Sequence, residues 1–275
     1  MQKIISKIDE YSNWLKSIRP IDNKKIQIIL DKFLIEYNYH SNHIEWNSLT
    51  LQETWGLIKT KLVSSDKNKK FKDYIEMNVH NKAVQYLNLV DKLFYIENFV
   101  KNNNLTISEK LLKKLNQMIL VENHKKHVRD EFWNIHFVDV IVWQYKTKEN
   151  NIQRISDWTI FNFASVIDTQ FYINNLIQRF EKHKSIYHPL ILASIFHYKF
   201  IRIHPFDDWN GRVTRLVINL ILMNNGIPIV IITSDNQNRQ EYYNTLELTD
   251  ANFIDIENIF EDNNIEKYFY FIKFI

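Results

Sequence analysis

The 275-residue sequence contains no cysteine, four prolines and only three glycines. Without cysteine the chain cannot form a disulfide, a thiolate zinc site or a cysteine nucleophile, and it fits a reducing, cytoplasmic environment. It also lacks any apolar run of about 18 residues, which excludes a membrane-spanning helix. The 35 basic and 32 acidic residues are interleaved, so the net charge of +3 favours neither a nucleic-acid nor a membrane partner.

Glycine is the most unusual shortage. Average usage is about 7%, or roughly 19 residues in a chain of this length, yet only Gly56, Gly211 and Gly226 are present, alongside seven tryptophans. Helix ends and tight turns favour glycine, so either the fold is almost entirely helical or other residues stand at glycine positions. The apolar fraction of 45% with 24% charged residues is typical of a folded globular protein and excludes a disordered chain.

Most of the sequence places apolar residues three or four positions apart, which predicts helices. The predicted helices cover residues 24–38, 71–101, 105–120, 159–180, 189–203, 211–224 and 238–249. One region, residues 135–145, is rich in β-branched and aromatic residues and predicts a short strand or hairpin. No repeat or Pro/Gly/Ser-rich linker interrupts the chain, so we expect a single, mainly helical unit.

The segment 204–215, HPFDDWNGRVTR, carries the residues with the clearest chemistry. Its second half opens a helix at Asn210, and a helix N-terminus presents free backbone N–H groups and a positive dipole end. Arg212 and Arg215 lie three positions apart, so both guanidinium groups leave the same side of the first turn. The helix start therefore predicts a site for an anion such as a phosphate chain.

The first half of this segment adds a base and carboxylates. Asp207 and Asp208 precede the helix, where a carboxylate can hold a Mg²⁺ ion whose other ligands are water and phosphate oxygens. His204 could accept a proton from a hydroxyl near neutral pH. A base, a carboxylate, an anion site and two arginines within one short segment predict phosphoryl or nucleotidyl transfer.

This segment resembles the Fic-family signature HPFx[D/E]GN[G/K]RxxR at eight of its nine specified positions. The lead-in at residues 188–206 and the later segment containing Arg239, Tyr242 and Tyr243 also resemble the family, and the likeness covers about residues 30–260. The resemblance implies an all-α, mainly helical Fic fold with a short β-hairpin flap. It further implies transfer of AMP from ATP, with Mg²⁺, to a Ser, Thr or Tyr hydroxyl of a target protein.

The resemblance also implies a role for each matching residue. These are His204 as general base, Phe206 as structural anchor, Asp208 as Mg²⁺ ligand, Asn210, Gly211, Arg212, Arg215 and the position of Trp209 as phosphate-binding, and Tyr242 and Tyr243 at the adenine. The extended region 135–145 would be the flap on which the target protein docks. Homodimerisation, and AMP removal or another phosphate-group transfer on the same scaffold, stay open.

A second motif lies upstream. Residues 41–47, SNHIEWN, resemble the family's inhibitory motif [S/T]xxxE[G/N], with Ser41 and Glu45 in place. The implied mechanism is that Glu45 pairs with Arg215 and so removes the partner of the ATP γ-phosphate. The implied organisation is an N-terminal helical region at 1–104 that carries this motif, a catalytic core at 105–250 and a C-terminal helix at 251–275.

Tryptophan departs from the family pattern at glycine positions. Trp209 occupies the signature glycine and Trp46 the glycine of the inhibitory motif, while Trp143 and Trp133 fall where relatives carry glycine in the flap region. Taken literally, Trp209 would distort the anion site and leave a catalytically impaired binding or regulatory module. Alternatively, the gene comes from an AT-rich bacterial genome that reads UGA as glycine, and the codons have been translated as tryptophan.

Overall fold

The computed structural model describes residues 2–18, 23–61, 67–87, 105–120, 122–129, 134–153, 160–250 and 264–275. Within these residues the chain is mainly helical, with two short antiparallel strand pairs. The elements are α1 (Gln2–Ser17), α2 (Asn23–His43), α3 (Leu51–Thr60), α4 (Lys67–Tyr86), α5 (Glu109–Leu120), β1 (His124–Arg129), β2 (Ile135–Val140), β3 (Ile152–Gln153), β4 (Ile160–Phe161), α6 (Val166–His183), α7 (Pro189–Ile203), α8 (Asn210–Asn224), α9 (Asn236–Asp250), a 3₁₀ helix (Ile265–Tyr268) and α10 (Phe269–Phe274).

Helices α7 and α8 form the centre of the fold. Helix α7 is mostly apolar, and nearly every side chain of α8, including its two arginines, is buried, as expected of a helix surrounded by others. Helix α7 begins at Pro189, and the imidazole of His188 accepts a hydrogen bond from the Leu190 N–H at 3.1 Å, which satisfies one free donor of the first turn. One apolar cluster extends from Tyr37 to Ile272 and includes residues of both central helices.

The strands form two separate pairs. Strands β1 and β2 are antiparallel, with His124 opposite Val140 and Arg129 opposite Ile135. Strands β3 and β4 are also antiparallel, with Ile152 opposite Phe161. The predicted extended region 135–145 therefore contains a strand over its first six residues and continues as a turn and loop.

The helix predicted over 159–180 starts too early. Ile160 and Phe161 form strand β4, and helix α6 begins only after Ser165, whose hydroxyl accepts a hydrogen bond from the Asp168 N–H at 3.1 Å. Tertiary pairing with β3 overrides the apolar periodicity there. The helix predicted at 24–38 extends over Asn23–His43.

The helix predicted at 71–101 corresponds to α4, which ends at Tyr86. Its last part, residues 88–101, lies outside the described residues, as does Trp133.

Among the helices that the structure describes, none is both long enough and apolar enough to cross a bilayer.

Candidate active site

The junction between α7 and α8 forms the centre of the site. Helix α7 ends at Ile203, and His204 follows in the left-handed conformation with φ 49° and ψ 58° while its N–H donates to the Phe200 carbonyl at 3.0 Å. The side chain of Asn210 closes the loop: its Oδ1 accepts from the Phe206 N–H at 3.0 Å and its Nδ2 donates to the Phe206 carbonyl at 2.8 Å. Phe206 itself is buried.

The imidazole of His204 faces a cavity at the start of α8. Its ring stacks on Phe163, with centroids 4.0 Å apart and planes inclined by 18°. The cavity has a volume of about 380 Å³, within the range common for small-molecule sites. Residues from several parts of the chain line it, among them Glu45, Phe161, Phe163, Arg202, His204, Gly211, Tyr242, Tyr243, Leu246 and Glu247.

Arg215 is held by both predicted residues of the upstream motif. Its Nη2 lies 2.8 Å from Glu45 Oε1 and 2.8 Å from the Ser41 carbonyl, and its Nε donates to the Ser41 hydroxyl at 3.1 Å. The Arg215 side chain is only 3% exposed, whereas that of Glu45 is 34% exposed. Ser41 and Glu45 thus meet Arg215 from the end of α2.

Arg212 has a different acidic partner. Its Nη2 lies 2.9 Å from Glu76 Oε2, on helix α4. Its guanidinium carbon lies 3.9 Å from the centroid of the Trp209 ring, which is a cation–π contact. Both arginines of the signature segment are therefore paired with carboxylates from the N-terminal part of the chain, Glu45 in the turn after α2 and Glu76 on α4.

Electrostatics and shape both favour the pairing of Glu45 with Arg215. Burial by itself would raise the pKa of Glu45, but Arg215 and Arg212 outweigh it and hold that pKa below its ordinary value. Glu45 is therefore ionised at neutral pH. Gly211 permits its close approach, because a Cβ at that position would collide with Glu45 Oε1 and lie 3.0 Å from Arg215 Nη1.

Asp208 lies in the loop immediately before α8. Its Oδ1 accepts a hydrogen bond from the Trp209 N–H at 2.9 Å, and its carbonyl accepts from Asn116 Nδ2 at 3.3 Å. The described residues contain no group of three or more His, Cys, Asp or Glu side chains able to hold a metal ion by themselves. A single carboxylate beside an anion site still suits Mg²⁺, which takes one or two protein carboxylates and completes its shell with phosphate oxygens and water.

The two predicted tyrosines lie on α9 at the far side of the cavity. Tyr242 is buried, and its hydroxyl lies 2.9 Å from Nε2 of the buried His197. Tyr243 is 38% exposed and also lines the cavity. The structure therefore brings both rings to the cavity that His204 and Gly211 line.

Tryptophans occupy backbone conformations that favour glycine. Among the described residues, five non-glycine residues have positive φ, and three of them are Trp46 at 66°, Trp143 at 72° and Trp209 at 68°. By contrast, Trp14 and Trp55 lie within helices α1 and α3. A bulky residue in the left-handed region is a genuine outlier, so these three positions are ones at which a fold ordinarily uses glycine.

The region 135–145, which was predicted as the flap, is not among the residues that line the cavity. Strand β2 is largely exposed, with Phe137 60% accessible to solvent. The second strand pair lies closer to the site, because Ile152 of β3 and Phe161 of β4 line the same cavity as His204.

Comparison with known proteins gives the class of this domain. Residues 106–222 match the model of the Fic/DOC family, so the chain carries a Fic/DOC domain. A protein adenylyltransferase Fic from Nematostella vectensis is 29% identical over 248 residues, which is 89% of this chain and 50% of that protein. One from Culex quinquefasciatus is 26% identical over 252 residues, which is 90% of this chain and 43% of that protein. The chain thus spans about half the length of these curated relatives.

A solved structure supports the same family. The crystal structure of a Fic-domain-containing signaling protein from Bacteroides thetaiotaomicron superposes with a TM-score of 0.80 at 28% identity, covering 97% of this chain and 90% of that one. The mainly helical Fic fold with a small hairpin, predicted from the sequence, is therefore confirmed.

Several contacts at the site have no signal in the sequence. Glu76, the partner of Arg212, and Phe163, which stacks on His204, belong to no motif. Lys146 and Asn150, which bind the backbone around His204, were also missed. They lie in a polar segment after the extended region, where a lysine and an asparagine are expected at the surface. Only their tertiary contacts distinguish these residues from their neighbours.

Proposed function

We propose that this protein is an adenylyltransferase that moves AMP from ATP to a Ser, Thr or Tyr hydroxyl of a target protein. The observation that carries the proposal is the meeting of His204 with the start of α8 at one cavity, within a domain that matches the Fic/DOC family. The similar proteins from Nematostella vectensis and Culex quinquefasciatus, both named protein adenylyltransferase Fic, support the same activity.

In this mechanism His204 accepts the proton of the target hydroxyl. The hydroxyl oxygen attacks the α-phosphorus of ATP, a new P–O bond forms, and the bond to the bridging oxygen breaks so that pyrophosphate leaves with that electron pair. The N–H groups at the start of α8, beside Asn210 and Gly211, stabilise charge that develops on the phosphate oxygens. Arg212 binds the phosphate chain, and Arg215 reaches the γ-phosphate.

Asp208 is the residue we propose for Mg²⁺. A bound Mg²⁺ supplies positive charge that offsets the charge of the phosphates. The half-buried position of Asp208 beside the start of α8 suits an ion shared between the protein and a phosphate chain. Before an ion binds, Asp208 Oδ1 accepts from the Trp209 N–H, so metal binding would compete with that hydrogen bond.

We propose that Glu45 inhibits this activity. Its carboxylate takes the hydrogen bond of Arg215 that the γ-phosphate needs, at 2.8 Å. A γ-phosphate and a Glu45 carboxylate cannot use that donor together, so ATP binds in an unproductive position until Glu45 moves away. Ser41 keeps Arg215 oriented through two further hydrogen bonds. The described contacts fit a class of Fic proteins with an N-terminal inhibitory helix.

We propose that the target protein docks on the region 135–145, where β2 presents exposed apolar side chains beside strand β1. Strand addition at such an edge is a recurrent way to bind an extended segment. The absence of cysteine fits the cytoplasmic location we propose.

The second candidate, a catalytically impaired Fic-like module, is favoured by Trp209. Its φ of 68° makes it an unfavourable residue at the N-cap of α8, and its ring packs under Arg212.

We instead attribute the tryptophans at 46, 143 and 209 to UGA codons that the source organism reads as glycine. All three have positive φ, a conformation that favours glycine, and the sequence contains only three glycines. Recoding explains both the tryptophans at these positions and the shortage of glycine.

The codons provide a direct check. We expect UGA at positions 46, 133, 143 and 209 and UGG at Trp14 and Trp55, which lie in helices where tryptophan is unstrained. The gene sequence gives the codons, and mass spectrometry of peptides from the native organism gives the residues. UGG at 46, 143 and 209 would contradict the recoding and leave the impaired module as the better interpretation.

The activity itself is tested with the Glu45→Gly/Trp209→Gly protein and ATP labelled in the α-phosphate. We expect label on the protein, and a His204→Ala change in the same background to reduce it by a factor of about 10² to 10⁴, the range for loss of a general base. ATP labelled in the γ-phosphate gives no incorporation if AMP is the transferred group. Labelling that survives His204→Ala, or no labelling in the parent, contradicts the proposal.

A further inference from the structure

The backbone that carries His204 is held by a separate segment, residues 146–150. The carbonyls at the end of α7 and in the loop after it have no helical partner of their own. The Lys146 ammonium donates to the Ile203 carbonyl at 3.2 Å, and the Lys146 N–H donates to the Pro205 carbonyl at 2.8 Å. Together with the Asn150 side chain, Lys146 therefore binds carbonyls on both sides of His204.

Asn150 binds the two remaining carbonyls of this stretch. Its Nδ2 donates to the His204 carbonyl at 3.2 Å and to the Phe206 carbonyl at 3.1 Å. Lys146 and Asn150 thus donate hydrogen bonds to four consecutive carbonyls, from Ile203 to Phe206, and the Phe206 carbonyl also accepts from Asn210. We refer to Lys146 and Asn150 together as the loop clamp.

Lys146 is unusually placed for a lysine. It is 2% exposed, and its ammonium donates to Asn150 Oδ1 at 2.8 Å, to the Ala164 carbonyl at 2.5 Å and to the Ile203 carbonyl at 3.2 Å. An ammonium has three N–H donors, so all three are used. Lysines are rarely buried in this way, and desolvation lowers the pKa of Lys146 to about 8 although Glu149 and Asp207 act to raise it.

The clamped residue needs such support. His204 has φ 49°, a conformation that non-glycine residues adopt only where the surroundings impose it. Its side chain direction follows from this backbone geometry and from the stack on Phe163. The first turn of α8 depends less on the clamp, because Asn210 has its own pair of hydrogen bonds to Phe206.

We propose that Lys146 and Asn150 are positioning residues that fix the backbone of His204 and thereby aim its imidazole at the reacting hydroxyl. The catalytic role of the His204 orientation rests on the proposed function, whereas the hydrogen bonds of the loop clamp do not. Loss of the clamp should affect the chemical step more than ATP binding, because Arg212 and Arg215 project from α8. Misplacement of a catalytic group by about 1 Å can reduce a rate by about 10²-fold.

The test uses Lys146→Met and Asn150→Ala in the Glu45→Gly/Trp209→Gly background. Lys148→Met is the matched control, since Lys148 lies on the same segment but is exposed. We expect kcat to fall by about 10²-fold in both clamp variants while KM for ATP changes by less than about threefold. Lys148→Met should retain the parental kcat.

An NMR signature tests the clamp without reference to activity. In protein labelled with ¹³C at the histidine ring, the His204 signal is identified by its loss in His204→Ala. We expect it to shift or broaden in Lys146→Met and Asn150→Ala and to stay unchanged in Lys148→Met. Asn150→Ala, which leaves the buried ammonium in place, carries the test if Lys146→Met does not fold.

The outcomes separate the two proposals. An unchanged His204 signal and an unchanged kcat in Asn150→Ala would overturn the clamp. A perturbed His204 signal in a parent protein that shows no AMP transfer would support the clamp and contradict the proposed function. An equal loss of kcat in Lys148→Met would overturn the clamp as well, because that side chain has no part in it.

Discussion

Replacing Glu45 by glycine in the Trp209→Gly protein is expected to raise AMP incorporation from labelled ATP by about 10- to 100-fold. In the proposed mechanism, Arg215 then exchanges its carboxylate partner at 2.8 Å for the γ-phosphate of ATP. Hydrogen bonds to charged groups contribute about 1.5–3 kcal/mol, and about 1.4 kcal/mol changes a rate tenfold. Initial rates of labelling at saturating ATP measure the effect.

Glutamine at position 45 gives a graded control. It keeps an acceptor oxygen for Arg215 but removes the negative charge, so Glu45→Gln should raise the rate by less than Glu45→Gly does. His204→Ala added to the Glu45→Gly protein should abolish the gain. Equal labelling with glutamate, glutamine and glycine at position 45 would show that the contact does not limit the reaction.

The same change should lower thermal stability in the absence of ATP. Arg215 is 3% exposed, and its hydrogen bonds to Ser41 supply no negative charge to replace the Glu45 carboxylate. A buried charge that loses its counter-charge is destabilising. ATP should then raise the melting temperature of Glu45→Gly more than that of the parent, because its phosphates replace the missing carboxylate.

Replacing Trp209 by glycine is the second change with a large expected effect. In the Glu45→Gly background, Trp209→Gly should tighten the binding of ATP by about tenfold or more, because it removes the indole ring that packs against Arg212, and about 1.4 kcal/mol of obstruction corresponds to a factor of ten. Trp209 also has φ 68° at the N-cap of α8, where left-handed backbone costs an L-residue about 1–2 kcal/mol, but this cost is present with and without ATP and affects stability, not affinity. Isothermal titration with ATP measures the change in affinity.

Trp143→Gly is the matched control for this prediction. Trp143 has a similar φ of 72°, but it lines a separate surface groove with Tyr86 and Lys110. Both glycine variants should relieve backbone strain, and only Trp209→Gly should change the affinity for ATP. An equal gain in affinity from both, or none from Trp209→Gly, would mean that the indole at 209 does not obstruct the anion site.

The sequence predicted candidate site residues, but few of the side chains that contact them. The spacing of His204, Asp208, Arg212 and Arg215 follows from the geometry of one loop and one helix turn, which a local pattern can encode. The contact between Glu45 and Arg215 was inferred from a second motif 170 residues away, and the structure brings the two side chains together. Both predictions depended on motifs that have a fixed local spacing.

The fold was also predicted well where periodicity is strong. Helices α7 and α8 begin and end within a residue of their predicted bounds, because their apolar residues and the capping residue His188 define them locally. The start of α6 was predicted seven residues too early, at 159 instead of Val166, since pairing of Ile160 and Phe161 with β3 is a tertiary contact. Local pattern does not specify such a pairing.

Taken by itself, the amino-acid sequence determined the helical fold, the residue types and spacing of the segment from His204 to Arg215 and the glycine shortage with its tryptophan surplus. Only the tertiary structure decided that Glu76 pairs with Arg212, and that Lys146 and Asn150 hold the backbone around His204. It also placed Trp46, Trp143 and Trp209 at positive φ. The physical reason is that hydrogen bonds between distant segments and the backbone angles at chain reversals depend on how helices pack, which no local spacing of residues records.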